Sequence, residues 1–431
     1  MPAAPAWGDL VLACAAVAAF ASLAALGMRA LQGGESGRRE VLALLGLLGA
    51  SVAVQGIVPV GAPAGYGLIK WALVIHSPGS NGYYTVARRQ VRDPGRFLAD
   101  YPEWIRRQDA LHVGTHPPGL FLIEHLVLRS MEARPGLARF VLDHIPGSVE
   151  QGFRLISRFD RLPRADRAAI ALTAVLTWLG CAATVVPLYL LARASLPAPA
   201  AWAAAAPWPL VPSAILFQPA ADTAFPLLAT TALALAAHAV RSAPGRDLPL
   251  ATLVGVALAV GMTFTLAFLA VGLIVAIVLA TAPGAGPPRR VVRIAATGVG
   301  FLAPTLASWA IARADPFVIW WWNQKNHARF YVEFPRSYRA WVVANPIELA
   351  VALGLPATVW SLVGLGSIRQ APRAARATLA VLAILTLSGR NLGEVGRIWL
   401  PFMPPLLTAS GLGLTRLGGG PKTLAATLAL L

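Results

Sequence analysis

Two stretches of this sequence concentrate the residue types that chemistry needs. The first runs from Ser80 to Gly119, carries Asn81, Tyr83, Tyr84, Arg88, Asp93, Asp109, His112 and His116, and ends in HisProProGly. The second runs from Ser388 to Arg397, carries Arg390, Glu394 and Arg397, and leads directly into an apolar run. A histidine or a carboxylate can take a proton from a hydroxyl near neutral pH, so Asp93, Asp109 and His116 are the candidate catalytic groups. Arg390 and Arg397 suit a phosphate, because the planar guanidinium fork makes paired, charge-assisted hydrogen bonds. Asn81, Tyr83, Tyr84, Arg88, His112, Asp222, Asn326 and Glu394 complete the candidate substrate-binding set.

Each of these residues also has a plain structural reading. Asp93 and Asp109 can cap loops, Asp222 can cap the helix it opens, and Glu394 can close its own loop by pairing with Arg390 or Arg397. Pro117 and Pro118 fix φ and bias His116 away from the helical region, which presents His116 on a stiff extended strut. His112 and His116 are four residues apart, a metal-binding spacing only on a helical face, and Pro117 opposes that face. A divalent metal is therefore a candidate cofactor without an assigned ligand set.

The elements that must hold these segments are membrane helices. Hydrophobic residues make up 57% of the 431 residues and charged ones only 13%, and the mean hydropathy is positive, so lipid must solvate much of the chain. Apolar runs near the ~20 residues that cross a bilayer fall at 8–31, 41–60, 168–192, 199–217, 222–240, 248–262, 264–281, 293–312, 346–366, 376–388 and 398–415. The expected fold is an all-α polytopic membrane protein with about eleven transmembrane helices. It divides into two N-terminal helices (1–60), a large loop with interfacial helices (61–167) and a transmembrane core (168–431) with polar loops at 313–345 and 389–397. Within the large loop, Gly119 to Met131 is apolar but too short to span, and Gln151 to Arg167 is rich in arginine, so both read as interfacial segments.

Sidedness follows from the short basic loops, which stay cytoplasmic. Placing Arg38 and Arg39 inside also puts Arg193, Arg241, Arg246, Arg289, Arg290, Arg293, Arg369, Arg373, Arg376, Arg416 and Lys422 inside, and it puts all three polar segments outside. The expected location is the cytoplasmic (inner) membrane of a bacterium, with the active face extracytoplasmic. TrpTrpTrp at 320–322 fits an aromatic belt, and Asn323, Lys325, Asn326, His327, Arg329 and Tyr331 follow it as candidates to line a headgroup site.

The net charge of +17 does not argue for nucleic acid. Only Lys70, Lys325 and Lys422 among the 36 basic residues are lysine, and the arginines punctuate the ends of apolar runs instead of clustering with aromatic support. Cys14 and Cys181 both lie inside apolar runs, so no disulfide framework is implied.

In order along the chain, GlyTyrTyrThrValAla at 82–87, HisProProGly at 116–119, LeuTyrLeuLeuAlaArg at 188–193, ProSerAlaIleLeuPheGlnProAlaAlaAsp at 212–222, the glycine-punctuated 254–261 and GluValGlyArgIleTrpLeuProPhe at 394–402 resemble the GT-C superfamily of membrane glycosyltransferases. That group includes protein mannosyltransferases and aminoarabinose transferases. The resemblance implies a transferase of the cell envelope that takes a sugar from a polyprenyl-phosphate donor at the outer membrane face. Its partners would be that lipid-linked donor and an acceptor that is a lipid, a glycan or a protein. One departure stands out: the superfamily places an acid just ahead of the tyrosines, and this chain has Ser80 and Asn81 there. Two other classes remain, a transporter or flippase of a lipid-linked substrate and a catalytically inactive scaffold. A transporter calls for ionisable residues at mid-membrane depth, whereas the centres of these runs are almost purely Ala, Leu, Val and Gly.

Overall fold

The computed structural model describes residues 6–34, 37–63 and 65–431. Residues 1–5, 35–36 and 64, which fall in the expected N-terminal pair and at the start of the large loop, lie outside the described residues. Every regular element among the described residues is helical. Among the described residues five helical segments are long and apolar enough to cross a membrane: Trp7–Gln32, Gly37–Gly61, Arg164–Arg193, Ala221–Arg241 and Pro287–Ala312. Helices are favoured because a chain surrounded by hydrocarbon must satisfy every backbone N–H and C=O internally. In Pro287–Ala312 only 11% of the most apolar window is buried inside the fold, which leaves a long apolar face for lipid.

Against the expected count of about eleven crossings, length and apolarity pick out five or six among the described residues. The apolar run at 199–217 breaks into Ala198–Ala205, Trp208–Leu210 and Pro212–Leu216, because Pro207, Pro209 and Pro212 each lack an amide donor and clash with the preceding turn. The run at 346–366 bends by 110° between Tyr338–Leu353 and Leu355–Leu365, at Gly354 with φ +92°. Counted as one bent span, this pair raises the total to six. The run at 248–281 forms two helices, Asp247–Met262 and Ala267–Ala280, both shorter than a full crossing. A last helix, Pro421–Leu430, packs on Trp7–Gln32 and lies beyond the runs read from the sequence.

Small residues let these helices approach closely. A Cβ on Gly300 would stand 2.0 Å from the Thr252 carbonyl oxygen, and one on Gly255 would stand 2.1 Å from that of Thr297. Thr297 also donates to the Ala251 carbonyl at 3.0 Å. Gly364 meets the Ala409 backbone and Gly413 meets that of Trp360 in the same manner. In lipid such backbone contact replaces the hydrophobic drive that is missing between apolar helices.

The two ends of the bundle differ in chemistry. At one end Arg193 pairs with Glu40 at 3.0 Å, Arg293 pairs with Asp247 at 2.8 Å, Arg289 shares the same carboxylate and Arg241 donates to the Ala194 carbonyl. Phe225–Arg241 carries the chain away from that end, and its 17 residues reach ~25 Å to Asp222. There the segments 80–119, 313–345 and 388–397 pack together as one polar layer. Asn326 hydrogen bonds to the carbonyls of Ile105 and Gly114, and Tyr331 bonds to the backbone of Arg390 and Leu392.

Changing Gly300 to Ala is expected to cost about 1–3 kcal/mol by forcing the two helices apart. The same change at Gly298, where a Cβ meets nothing within 4 Å, is expected to be neutral or mildly stabilising. Thermal unfolding of the detergent-solubilised protein reads the difference.

Candidate functional site

The short segment Gly389–Arg397 is held by two helices, Pro316–Glu333 and Tyr338–Leu353, and by Arg336 in the turn between them. Asn345 donates to the Asn391 carbonyl at 2.7 Å and accepts from the Gly393 amide at 3.1 Å. Glu348 accepts from the Gly396 amide at 2.9 Å. Arg336, stacked over Trp341 and Phe330, donates to the Leu392 carbonyl. Gly393 takes φ +93° and Glu394 φ +57°. A non-glycine residue in that left-handed region is strained by ~1–3 kcal/mol and persists only where its surroundings over-determine it.

This geometry delivers Arg397 between two carboxylates. Its guanidinium is 2.8 Å from Glu394 and 3.8 Å from Asp222, and Glu394 also binds Arg336 at 3.0 Å. Burial alone would lower the Arg397 pKa, but the charges of Asp222 and Glu394 outweigh it and hold the group above its ordinary value. Burial would likewise raise Glu394, and Arg397 with Arg336 brings it below the usual carboxylate range. Beside them opens a cavity of about 490 Å³ lined by Phe217, Arg336, Trp341, Glu348, Glu394 and Arg397.

The first polar segment supplies the other side. Tyr83, 5% exposed, has its hydroxyl pKa raised by burial and by the charge of Asp222, against an opposing effect of Arg397. Its ring meets the His116 ring edge-on at 5.4 Å. His112 and His116 are each pushed down to about 4, chiefly by burial, with the charge of Arg397 acting in the same direction. Both are therefore neutral at pH 7. The His116 Nδ1 lies 2.8 Å from the His112 carbonyl, and a carbonyl only accepts, so Nδ1 carries the proton and Nε2 presents the lone pair. The strut is fixed in place, since Tyr101 and Asn323 both donate to the His116 carbonyl, at 2.8 and 3.1 Å.

The residues singled out from the sequence thus divide. Tyr83, His112, His116, Asp222, Glu394 and Arg397 act on one another, and exposed Arg390 lies close enough for its charge to lower the pKa of His327, after burial. Tyr84 and Arg88 face elsewhere: the Tyr84 hydroxyl donates to Asp166 at 2.6 Å, and Arg88 pairs with Asp166 at 2.9 Å and Glu132 at 2.7 Å. Asp93 caps Pro94–Arg106 by accepting from the amides of Gly95 and Arg96. Asp109 accepts from the amides of Leu111 and Gly114. Neither aspartate contributes to the charge felt by His112 or His116. Asn81 turns inward and accepts from the Tyr83 amide at 3.0 Å. Asn326 is spent on backbone carbonyls.

Sequence reading did not single out Arg336, Trp341, Asn345 or Glu348. The only available signal was a polar or charged residue interleaved with Phe330, Phe334, Tyr338 and Trp341 in an outer loop. Among the described residues no three His, Cys, Asp or Glu side chains come close enough to hold a metal ion.

No family model matches the chain, and no curated protein does. Among solved structures it is similar to the Archaeoglobus fulgidus oligosaccharyltransferase in complex with Zn and sulfate, at 12% identity and a TM-score of 0.43, over 85% of this chain. The chain spans about half (49%) of the length of that protein. At this level of likeness nothing about activity transfers.

Two expectations follow. Replacing Asn326 by Leu removes one donor each from the carbonyls of Ile105 and Gly114, which keep the Gln108 amide and Asn323, so a loss of about 1 kcal/mol per hydrogen bond is expected in thermal unfolding. Because the folded-state pKa values of His112 and His116 lie below the ordinary 6.5, their neutral forms favour folding fully above pH 6.5, and that stability is lost as pH falls towards 4. The unfolding temperature should decline between pH 7 and pH 5, and His116→Asn should flatten the decline.

Proposed function

We propose that the chain is a membrane glycosyltransferase that moves a sugar from a polyprenyl-phosphate donor to an acceptor at the extracytoplasmic face. The observation that carries this reading is Arg397: a half-buried guanidinium at the head of an apolar segment, beside an open cavity, with its charge acting on a neutral histidine pair and a buried tyrosine. A lipid phosphate reaching the cavity meets Arg397 and Arg336, and the hydrocarbon tail lies along the apolar helices. The sidedness of the short basic loops supports the face, and the order of motifs from Tyr83 to Arg397 supports the class.

In the proposed reaction the acceptor hydroxyl oxygen attacks the anomeric carbon of the sugar, forming the new C–O bond with inversion. The bond from that carbon to the phosphate oxygen breaks, and its electron pair leaves on the phosphate. Arg397 binds the charge that develops there, the moment at which a preorganised donor is worth most. The acceptor proton passes to Nε2 of His116. At a pKa near 4 that nitrogen is unprotonated but weakly basic. An anionic donor brought beside it favours the imidazolium and raises its pKa towards the useful range. Asp222 stands in for the acid missing at Asn81 by orienting the acceptor beside Tyr83. Asp93 and Asp109 hold the loop in shape.

Replacing Arg397 by Ala is expected to reduce transfer about 10²- to 10³-fold while membrane insertion is kept. The assay incubates full-length protein in vesicles with a panel of polyprenyl-phosphate hexoses and follows released polyprenyl phosphate. Undiminished release by the variant would sink the assignment of Arg397, and no release by the wild type across the panel would sink the reaction. His116→Asn should lower turnover comparably and remove the acid limb of its pH profile.

A further inference from the structure

A second arginine-rich site lies apart from the Arg397 cavity. Gly147–Ile156 and the following turn, together with the start of Arg164–Ala183, enclose a groove of about 210 Å³ lined in part by Arg154, Ser157, Arg161 and Arg167 and also by Glu150 and Asp160. The transfer reaction uses none of these residues.

The charges here are unequally matched. Between residues 150 and 167 there are five arginines and three carboxylates. Each carboxylate is already paired: Glu150 with Arg167 at 2.6 Å, Asp160 with His76 at 2.9 Å and Asp166 with Arg88 at 2.9 Å. Arg158, Arg161 and Arg164 are exposed and carry no carboxylate partner among the described residues. The Nε of Arg167, whose guanidinium lies over the Phe153 ring at 5.1 Å, is buried without a hydrogen-bond acceptor. The groove therefore offers several unspent donors to an anion.

Its depth is set by the helix that follows. Arg164 opens the segment Arg164–Arg193, which is long and apolar enough to cross a membrane, so the first turn of that helix sits where an apolar span meets the headgroups. Large apolar side chains stand exposed in this part of the chain. Phe159 is 73% exposed and Phe140, on the adjoining helix Pro135–Asp143, is 58% exposed. Rings at this level enter the headgroup boundary beside a basic face, the pattern of a segment lying along an anionic surface.

We infer that this groove binds the headgroup phosphate of an anionic bilayer phospholipid, with Arg161 in its lining and exposed Arg158, next to Ser157 in the chain, supplying the charge, Arg167 the spare donor, and Phe159 and Phe140 resting among the acyl chains. The site anchors the large polar segment 61–167 to one leaflet and stands independently of the reaction proposed for the Arg397 cavity.

The test uses the full chain in a neutral detergent, titrated with short-chain phosphatidylglycerol, phosphatidylcholine or polyprenyl phosphate, with unfolding temperature and native mass spectrometry as readouts. Wild type should bind phosphatidylglycerol in preference to phosphatidylcholine, and Arg158→Gln with Arg161→Gln should weaken that binding on the order of tenfold. The control pair Arg89→Gln with Arg92→Gln removes the same charge from exposed positions elsewhere and should leave it unchanged. Equal affinity in the groove variant, equal weakening in the control, or no preference over phosphatidylcholine each overturns the inference. So does polyprenyl phosphate binding here more tightly than phosphatidylglycerol, because the groove would then belong to the donor.

Discussion

The guanidinium of Arg397, shared between Glu394 and Asp222, is the contact on which the polar layer turns. Three distant parts of the chain depend on it: the lip segment that carries Arg397, the helix that begins after Asp222, and the histidine strut whose neutrality its charge reinforces. Ionic groups at the edge of an apolar bundle are costly unless paired. Pairing one arginine with two acids satisfies them while leaving guanidinium donors free for an incoming anion. The left-handed Glu394 is the local cost of this arrangement, and it is held by the hydrogen bonds that Asn345, Glu348 and Arg336 make to its loop.

The helices beneath give that layer a rigid base. Gly255 and Gly300, Gly364 and Gly413 bring backbones into direct contact, so the bundle has little freedom to slide. The strut from Gly114 to Pro118 is clamped from above by Asn323 and Asn326 and from below by the Gly119 amide, which donates to the Thr263 carbonyl at 2.8 Å. Such clamping sets the lone pair of His116 in one direction, which is the sense in which the site is preorganised.

Much of this was legible in one dimension. Apolar run length and composition announce membrane helices, because a bilayer imposes a fixed thickness on any sequence that crosses it. The grouping of Ser80–Gly119 with Ser388–Arg397 was visible from polar density alone. What was not legible was how each apolar run would be cut. Prolines at 207, 209 and 212 and the glycine at 354 shorten or bend helices in ways that a hydropathy count ignores. Polar type also says nothing of where a side chain points, so Asp93 and Asp109 looked like catalytic groups and Asn81 and Asn326 like substrate-binding ones, and all four are seen to hold backbone amides or carbonyls.

By itself, then, the sequence determined the solvent: lipid for most of the chain, and a polar layer gathered from three separate segments. Only the tertiary structure decided which members of that layer meet. Tyr83 and Tyr84 are neighbours in the chain, yet one faces His116 and the other Asp166, because adjacent residues on a helix lie ~100° apart around its axis. Arg336 and Arg397 are 61 residues apart in the chain and share one carboxylate. Long-range pairing of that kind depends on how the helices pack, and helix packing is fixed by small-residue contacts distributed over the whole chain, not by any motif near the site.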